Sequence, residues 1–195
     1  MSKKIEKQYN NIIQAFLVRF LNMEYSKITI GDVAEDSGMT RANFYSYFTG
    51  KEELLWKTFQ YVFLEKEQKV KKLDASSLLS EGKPLTFYLF ENVKKNRPFY
   101  RQIFQESVSY EFHIRLSDFL SEESYRTHST LREKYENSSF PYQYISHYLS
   151  GAVLGLLSYL LRKDLDWDSE TISNWFTSLA VPGIVNQLKV DSKKN

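Results

Sequence analysis

Cysteine does not occur among the 195 residues. Its absence excludes a disulfide framework and any thiolate metal site, and it suits a reducing cytoplasm. Glycine (seven) and proline (four) are scarce, which argues against a turn-rich all-β chain and against a disordered one. Long hydrophobic runs are missing as well. The longest, AVLGLLSYLL from Ala152 to Leu161, is about half of the ~20 residues a membrane span needs. The start is charged and then amphipathic, unlike a signal peptide. A cytoplasmic chain with no membrane partner is the expectation. His113, His128 and His147 show no paired metal spacing, and Glu111 and His113 would not share a helical face. Neither a glycine-rich phosphate loop nor a nucleophile elbow is present. The sequence therefore suggests no enzyme, no cofactor, no metal and no catalytic residue.

Net charge is +2, unevenly spread. Residues 1–72 hold 12 Lys/Arg against 9 Asp/Glu, and residues 73–195 hold 14 against 15. The basic excess includes Lys3, Lys4 and Lys7. It hints at a polyanion partner, and a solvated lysine-rich terminus explains it equally well.

What is present reads almost wholly as helix. Ile5, Tyr9, Ile12, Ile13, Phe16, Leu17, Phe20 and Leu21 recur at three- and four-residue spacing, predicting a helix over about 4–23. Leu54 to Phe63 continues a long helix, charged from Glu65 to Lys72. Leu73 to Lys83 is a polar break, and Pro84 suits the first turn of a helix reaching about Asn96. Pro98 interrupts it, and a short helix with Phe99, Ile103 and Phe104 follows. Ser109 to Tyr135 is patterned but increasingly polar. A break at Asn137 to Pro141, with Ser139 as a cap, precedes an apolar helix from Tyr144 to Leu161. Asp168 can cap a last helix, which Pro182-Gly183 should kink or end.

The informative stretch is TIGDVAEDSGMTRANFYSYFTGKEEL, Thr29 to Leu54. Thr29 with Asp32 resembles a capping box. Gly38 sits where a tight turn needs positive φ, and Thr40 can cap a second short helix. Phe44 and Phe48, four apart, point to the core. The pattern is a helix-turn-helix, with a first helix about 30–37 and a recognition helix about 41–47. Arg41, Ala42, Tyr45 and Ser46 then share the outer face, with Asn43 and Tyr47 at its edges. Such a face suits a DNA major groove. Arginine bonds guanine O6 and N7, asparagine pairs with adenine, and an alanine methyl meets a thymine methyl. Thr40 and the tyrosine hydroxyls can bond phosphates. Lys51 and the free amides of the next helix would face another phosphate. Its cap is either Thr49, with Glu52, or Gly50, with Glu53.

At these residues the chain resembles the TetR family of bacterial regulators. The family's motif is matched in GMTRANFYSYFTGKEEL by Gly38, Thr40, Tyr45, Tyr47, Phe48, Lys51, Glu52, Glu53 and Leu54. Asn43 stands for the usual Thr or Ser, and Ala42 for the usual Gly. Both changes fall on the reading face and bear on the operator sequence. NRPFYRQIF and YISHYLSGAVLGLLSYLLRKDL also look like the C-terminal half of a subgroup related to activators of dihydroxyacetone-kinase operons.

The resemblance implies an all-α protein with an N-terminal helix-turn-helix DNA-binding domain over 1–50. A long helix of about 51–72 would connect it to a helical effector-binding and dimerisation domain over 73–195. It implies a dimeric regulator, a repressor, on a palindromic double-stranded DNA operator. Its effector would be a small molecule or a protein co-regulator. The expected DNA-binding set is Thr29, Thr40, Arg41, Ala42, Asn43, Tyr45, Tyr47 and Lys51. The last two helices, about 141–163 and 168–188, would build the dimer, with Gly151, Leu154 and Gly155 at the interface. The alternatives are a deeply buried intramolecular helix there, and a helical protein-interaction module with a vestigial helix-turn-helix.

Overall fold

The computed structural model describes residues 3–70, 85–127 and 142–192. Among the described residues every regular element is helical. Helix α1 is Lys3–Asn22, followed by a 3-10 turn, Tyr25–Lys27. Then come α2 (Ile30–Asp36), α3 (Arg41–Phe44), α4 (Lys51–Val70), α5 (Leu85–Lys95), α6 (Arg97–Ile103), α7 (Tyr110–Thr127), α8 (Tyr142–Arg162) and α9 (Ser169–Ser192). The expected break at Leu73 to Lys83, the placing of Pro84, and the Asn137 to Pro141 break with its Ser139 cap lie outside the described residues.

The chain forms two compact units. The first comprises Met1–Gln68 with Asn96–Phe112, and the second Lys69–Lys95 with His113–Asn195.

In the first unit, α1 turns one apolar stripe inward. Ile12, Ile13, Phe16 and Phe20 are buried, as their spacing requires. This stripe meets α2 and α6, and Phe20 packs on Phe99 of α6 with ring centroids 5.3 Å apart. Two aromatic contacts secure the helix-turn-helix. Phe48 stacks on Tyr9 of α1 at 5.0 Å and packs on Phe44 at 5.6 Å. Phe44 is 0% and Phe48 1% exposed. Burial of each contributes about 1.5–3 kcal/mol, which is what holds so short a helix as α3 in place.

In the second unit, α5 packs along α9. The Lys94 ammonium donates to the Trp167 carbonyl and pairs with Asp166 at 3.3 Å. Helices α8 and α9 form an antiparallel hairpin, with Ile145 and Leu149 against Ala180 and Phe176. The reversal closes through Leu165 N–H to the Leu160 carbonyl, 3.0 Å, while Asp164 takes a φ of 52°, a helix-ending motif. Asp168 caps α9 as expected, its carboxylate accepting Thr171 N–H at 2.8 Å.

Of the kink or end expected at Pro182-Gly183, the end is not seen. Helix α9 continues through Pro182 to Ser192. The proline removes the donor for the carbonyl of Ser178, four residues back. Ser178 is exposed, so water can take that carbonyl.

Candidate nucleic-acid interface

Helix α2 begins with a complete capping box. Thr29 Oγ1 accepts Asp32 N–H at 3.2 Å, and the Asp32 carboxylate accepts Thr29 N–H at 3.3 Å. The Thr29 hydroxyl also donates to Asp32 at 2.6 Å, which chiefly holds that carboxyl below its ordinary range. Thr29 is thus exposed but occupied in starting the helix. The far end of α2 is tied to α1. The Arg19 guanidinium donates to both carboxylate oxygens of Asp36, one at 3.0 Å, and lies 3.8 Å from Asp32.

The turn follows from one glycine. Gly38 has a φ of 72°, which a Cβ would penalise. Its N–H reaches the Glu35 carbonyl at 3.0 Å, and Met39 N–H reaches Ala34 at 2.9 Å. Thr40 then caps α3, its Oγ1 accepting Asn43 N–H at 3.3 Å.

The expected recognition helix over 41–47 is shorter in its α-helical part, Arg41–Phe44. Ser46 and Tyr47 N–H bond three residues back, to Asn43 and Phe44 at 3.1 and 2.9 Å. The closing turn is therefore wound tighter, a common way for a helix end to satisfy its carbonyls. The winding lets Phe44 and Phe48 both reach the core before α4 starts at Lys51.

The outer face is as the sequence reading had it. Arg41, Ala42, Asn43, Tyr45 and Ser46 are exposed, and Tyr47 is half-buried. Among the described residues Arg41 has no ion-pair partner. Chemically this is a strip carrying a guanidinium, an amide, a methyl and two phenols. It offers the donors and apolar contact that base edges and phosphates accept.

Lys51 has a role the sequence did not reveal. Its ammonium donates to the Tyr25 and Ile28 carbonyls at 3.0 and 3.1 Å and lies 4.3 Å from the Tyr25 ring centroid. Partial burial lowers its pKa. One of its three N–H groups is left for a ligand. The carbonyls come from a segment over twenty residues upstream, so spacing alone carried no signal. Of the two options for the start of α4, the structure takes Gly50 as the cap but not the reach of Glu53 to it. Gly50 takes the cap position, with Leu54 N–H on its carbonyl at 3.1 Å. The Glu53 carboxylate instead accepts Thr49 N–H at 2.6 Å and the Thr49 hydroxyl at 2.7 Å.

In the second unit, α8 has two faces. Ile145, Leu149, Val153, Leu157, Leu160 and Leu161 are buried. Gly151 and Gly155 are exposed, and a Cβ at either would meet nothing within 4 Å. Leu154 is half-buried. Exposed Tyr144, Tyr148 and Tyr159 flank the glycines, and on α9 Trp175 is 65% and Leu179 82% exposed. The helix is therefore not buried all round. By length and composition its segment Gln143–Arg162 is sufficient to cross a membrane, unlike the shorter run read from the sequence. Its buried face carries Ser146 and Ser150, and Ser150 bonds to Ser121 of α7 at 2.6 Å. Those contacts are the packing of a core helix.

Residues 24–56 match the model of bacterial regulatory proteins of the tetR family. Residues 82–181 match the model of a transcriptional regulator C-terminal region. No curated protein sequence matches the chain. Among solved structures it is similar to NalD, the secondary repressor of the MexAB-OprM multidrug efflux pump in Pseudomonas aeruginosa. Identity is 21% over 93% of this chain and 97% of that one, with a TM-score of 0.65. It is similar to the fatty acid degradation regulator FadR from Bacillus halodurans, at 16% identity over 89% and 94%, TM-score 0.64. It is also similar to the dihydroxyacetone kinase operon activator DhaS, at 18% over 94% and 97%, TM-score 0.58. At these identities the structures show a shared fold. The family models span both the helix-turn-helix and the helices after it, and the chain is a transcriptional regulator of the TetR family.

Proposed function

We propose that the protein is a repressor that binds a palindromic operator as a homodimer and is released by an effector, either a small molecule or a protein co-regulator. Residues 1–50 contact DNA and 51–72 connect. Residues 73–195 dimerise and take the effector, apart from 96–112, which pack with the first unit. The protein works in the cytoplasm, without a membrane partner.

The observation that carries this reading is the exposed strip Arg41, Ala42, Asn43, Tyr45 and Ser46 beside two fully buried phenylalanines. Arg41 reads guanine, Asn43 reads adenine, and Ala42 meets a thymine methyl. Thr40, Tyr45 and Tyr47 fix register on phosphates, with Thr29 at the head of α2 and the remaining N–H of Lys51 beside them. Two copies joined through the Gly151, Leu154 and Gly155 face place two such strips on half-sites about one helical turn apart, ~34–36 Å, or somewhat further.

Selection of bound duplexes from a random pool tests the reading. An enriched near-palindrome supports it. A protein that enriches nothing, or that binds the selected duplex undiminished as a monomer at micromolar concentration, contradicts it.

A further inference from the structure

Glu52, in the first turn of α4, joins two segments that are far apart in sequence. Its Oε1 accepts the Tyr25 hydroxyl at 2.9 Å. Its Oε2 accepts the Ser109 hydroxyl at 3.3 Å. Tyr25 is 3% exposed and meets Phe16 and Phe20 edge-on at 6.4 and 6.0 Å. The Tyr25 carbonyl is one of the two that hold the Lys51 ammonium, and the other, of Ile28, immediately precedes the Thr29 cap of α2. Ser109 in turn caps α7, accepting Phe112 N–H at 3.2 Å.

A glutamate in a first helical turn is favoured by the helix dipole wherever its side chain points. The dipole does not account for two hydroxyls from separate segments converging on one carboxylate. Hydrogen bonds to a charged acceptor are roughly twice as strong as neutral ones. The carboxylate therefore fixes Tyr25, and Tyr25 with Lys51 fixes the chain entering α2.

We propose that Glu52 is a positioning residue for DNA reading, holding the helix-turn-helix against α4 through Tyr25 and tying it to the start of α7 through Ser109. None of the three belongs to the exposed strip of residues 40–47. Operator affinity thus depends on a hydroxyl at position 109 that sits outside the reading surface. The inference rests on the DNA-binding reading above.

The test uses the full chain and the duplex the wild-type protein selects from a random pool. Tyr25→Phe, Ser109→Gly and Glu52→Ala are measured singly and in pairs with Glu52→Ala. Glycine keeps most of the cap value at 109, and phenylalanine keeps the Tyr25 ring in the core. Tyr25→Phe and Ser109→Gly should each bind about five- to tenfold more weakly, and Glu52→Ala, which removes both bonds, more weakly than either. The salt slope should not change, because no phosphate contact is removed. In the Glu52→Ala background, Tyr25→Phe and Ser109→Gly should add almost nothing. Circular dichroism at the assay temperature should show every variant folded. Wild-type affinity in the single variants overturns the proposal, as do fully additive losses, or a slope that drops by about one per variant. A wild-type protein that enriches no duplex overturns the DNA-binding reading itself, so the two failures are distinct.

Discussion

Thr40 Oγ1 accepts the amide of Asn43 at 3.3 Å, so the cap of α3 is bonded to a residue of the reading face. Thr40→Ala should cost about 1 kcal/mol of stability and should weaken operator binding, because the first turn of α3 loses its fixed start. Thr40→Ser keeps the acceptor and should restore both. Denaturant midpoints and titrations of the selected duplex check this; an alanine variant equal to wild type in both would remove the cap from the account.

Arg19 links stability to acid pH. Its donation to Asp36 chiefly lowers that carboxyl's pKa, and Asp32 is lowered chiefly by the Thr29 hydroxyl. The unfolded value is about 3.9. A group depressed on folding contributes stability that is present above the unfolded pKa and is lost as pH falls through the folded one. The first unit should therefore weaken below about pH 4. Asp36→Asn should flatten that acid limb while leaving a lower plateau at neutral pH. Urea midpoints over a pH series, with wild type and variant superimposable in acid and neutral alike, would count against the linkage.

The helix-turn-helix was legible in the sequence because its signals are local. Thr29 and Asp32 are three apart, Gly38 alone suits its φ, and Phe44 and Phe48 are one turn apart. The tighter winding of Tyr45 to Tyr47 was not legible, since it follows from where both phenylalanines find the core. Lys51 was read only as a phosphate-facing charge and Glu52 only as a capping partner for Thr49. Their partners, Tyr25, Ile28 and Ser109, are set by tertiary packing. Pro182-Gly183 was read as a kink or an end, and α9 does not end there; the carbonyl left without a donor belongs to Ser178, an exposed residue.

Gly151→Leu tests the dimer face. Open space surrounds a Cβ at this position within one protomer, so the fold should accept leucine. Loss of dimer and of operator affinity, with helicity largely kept, is expected in sedimentation and circular dichroism. A variant that stays dimeric moves the interface away from this face.

Lys51→Ala should act differently from any base-reading change. It removes the donor that holds the Tyr25 and Ile28 carbonyls, so stability should fall. It also removes the charge proposed to face a phosphate. Affinity for selected and scrambled duplexes should fall together, with a salt slope shallower by about one unit. An unchanged slope would leave Lys51 as an internal pin only.

The central claim is that the strip beginning at Arg41 reads base sequence. The most direct measurement is the ratio of affinities for the selected and the scrambled duplex, for wild type and Arg41→Ala, over a salt series. Losing a bidentate arginine–guanine pair should cost about 1–3 kcal/mol of discrimination, so the ratio should drop by roughly five- to 150-fold, with the scrambled-duplex affinity much less affected. A full ratio retained in Arg41→Ala would contradict the claim for Arg41 and reduce it to a backbone contact.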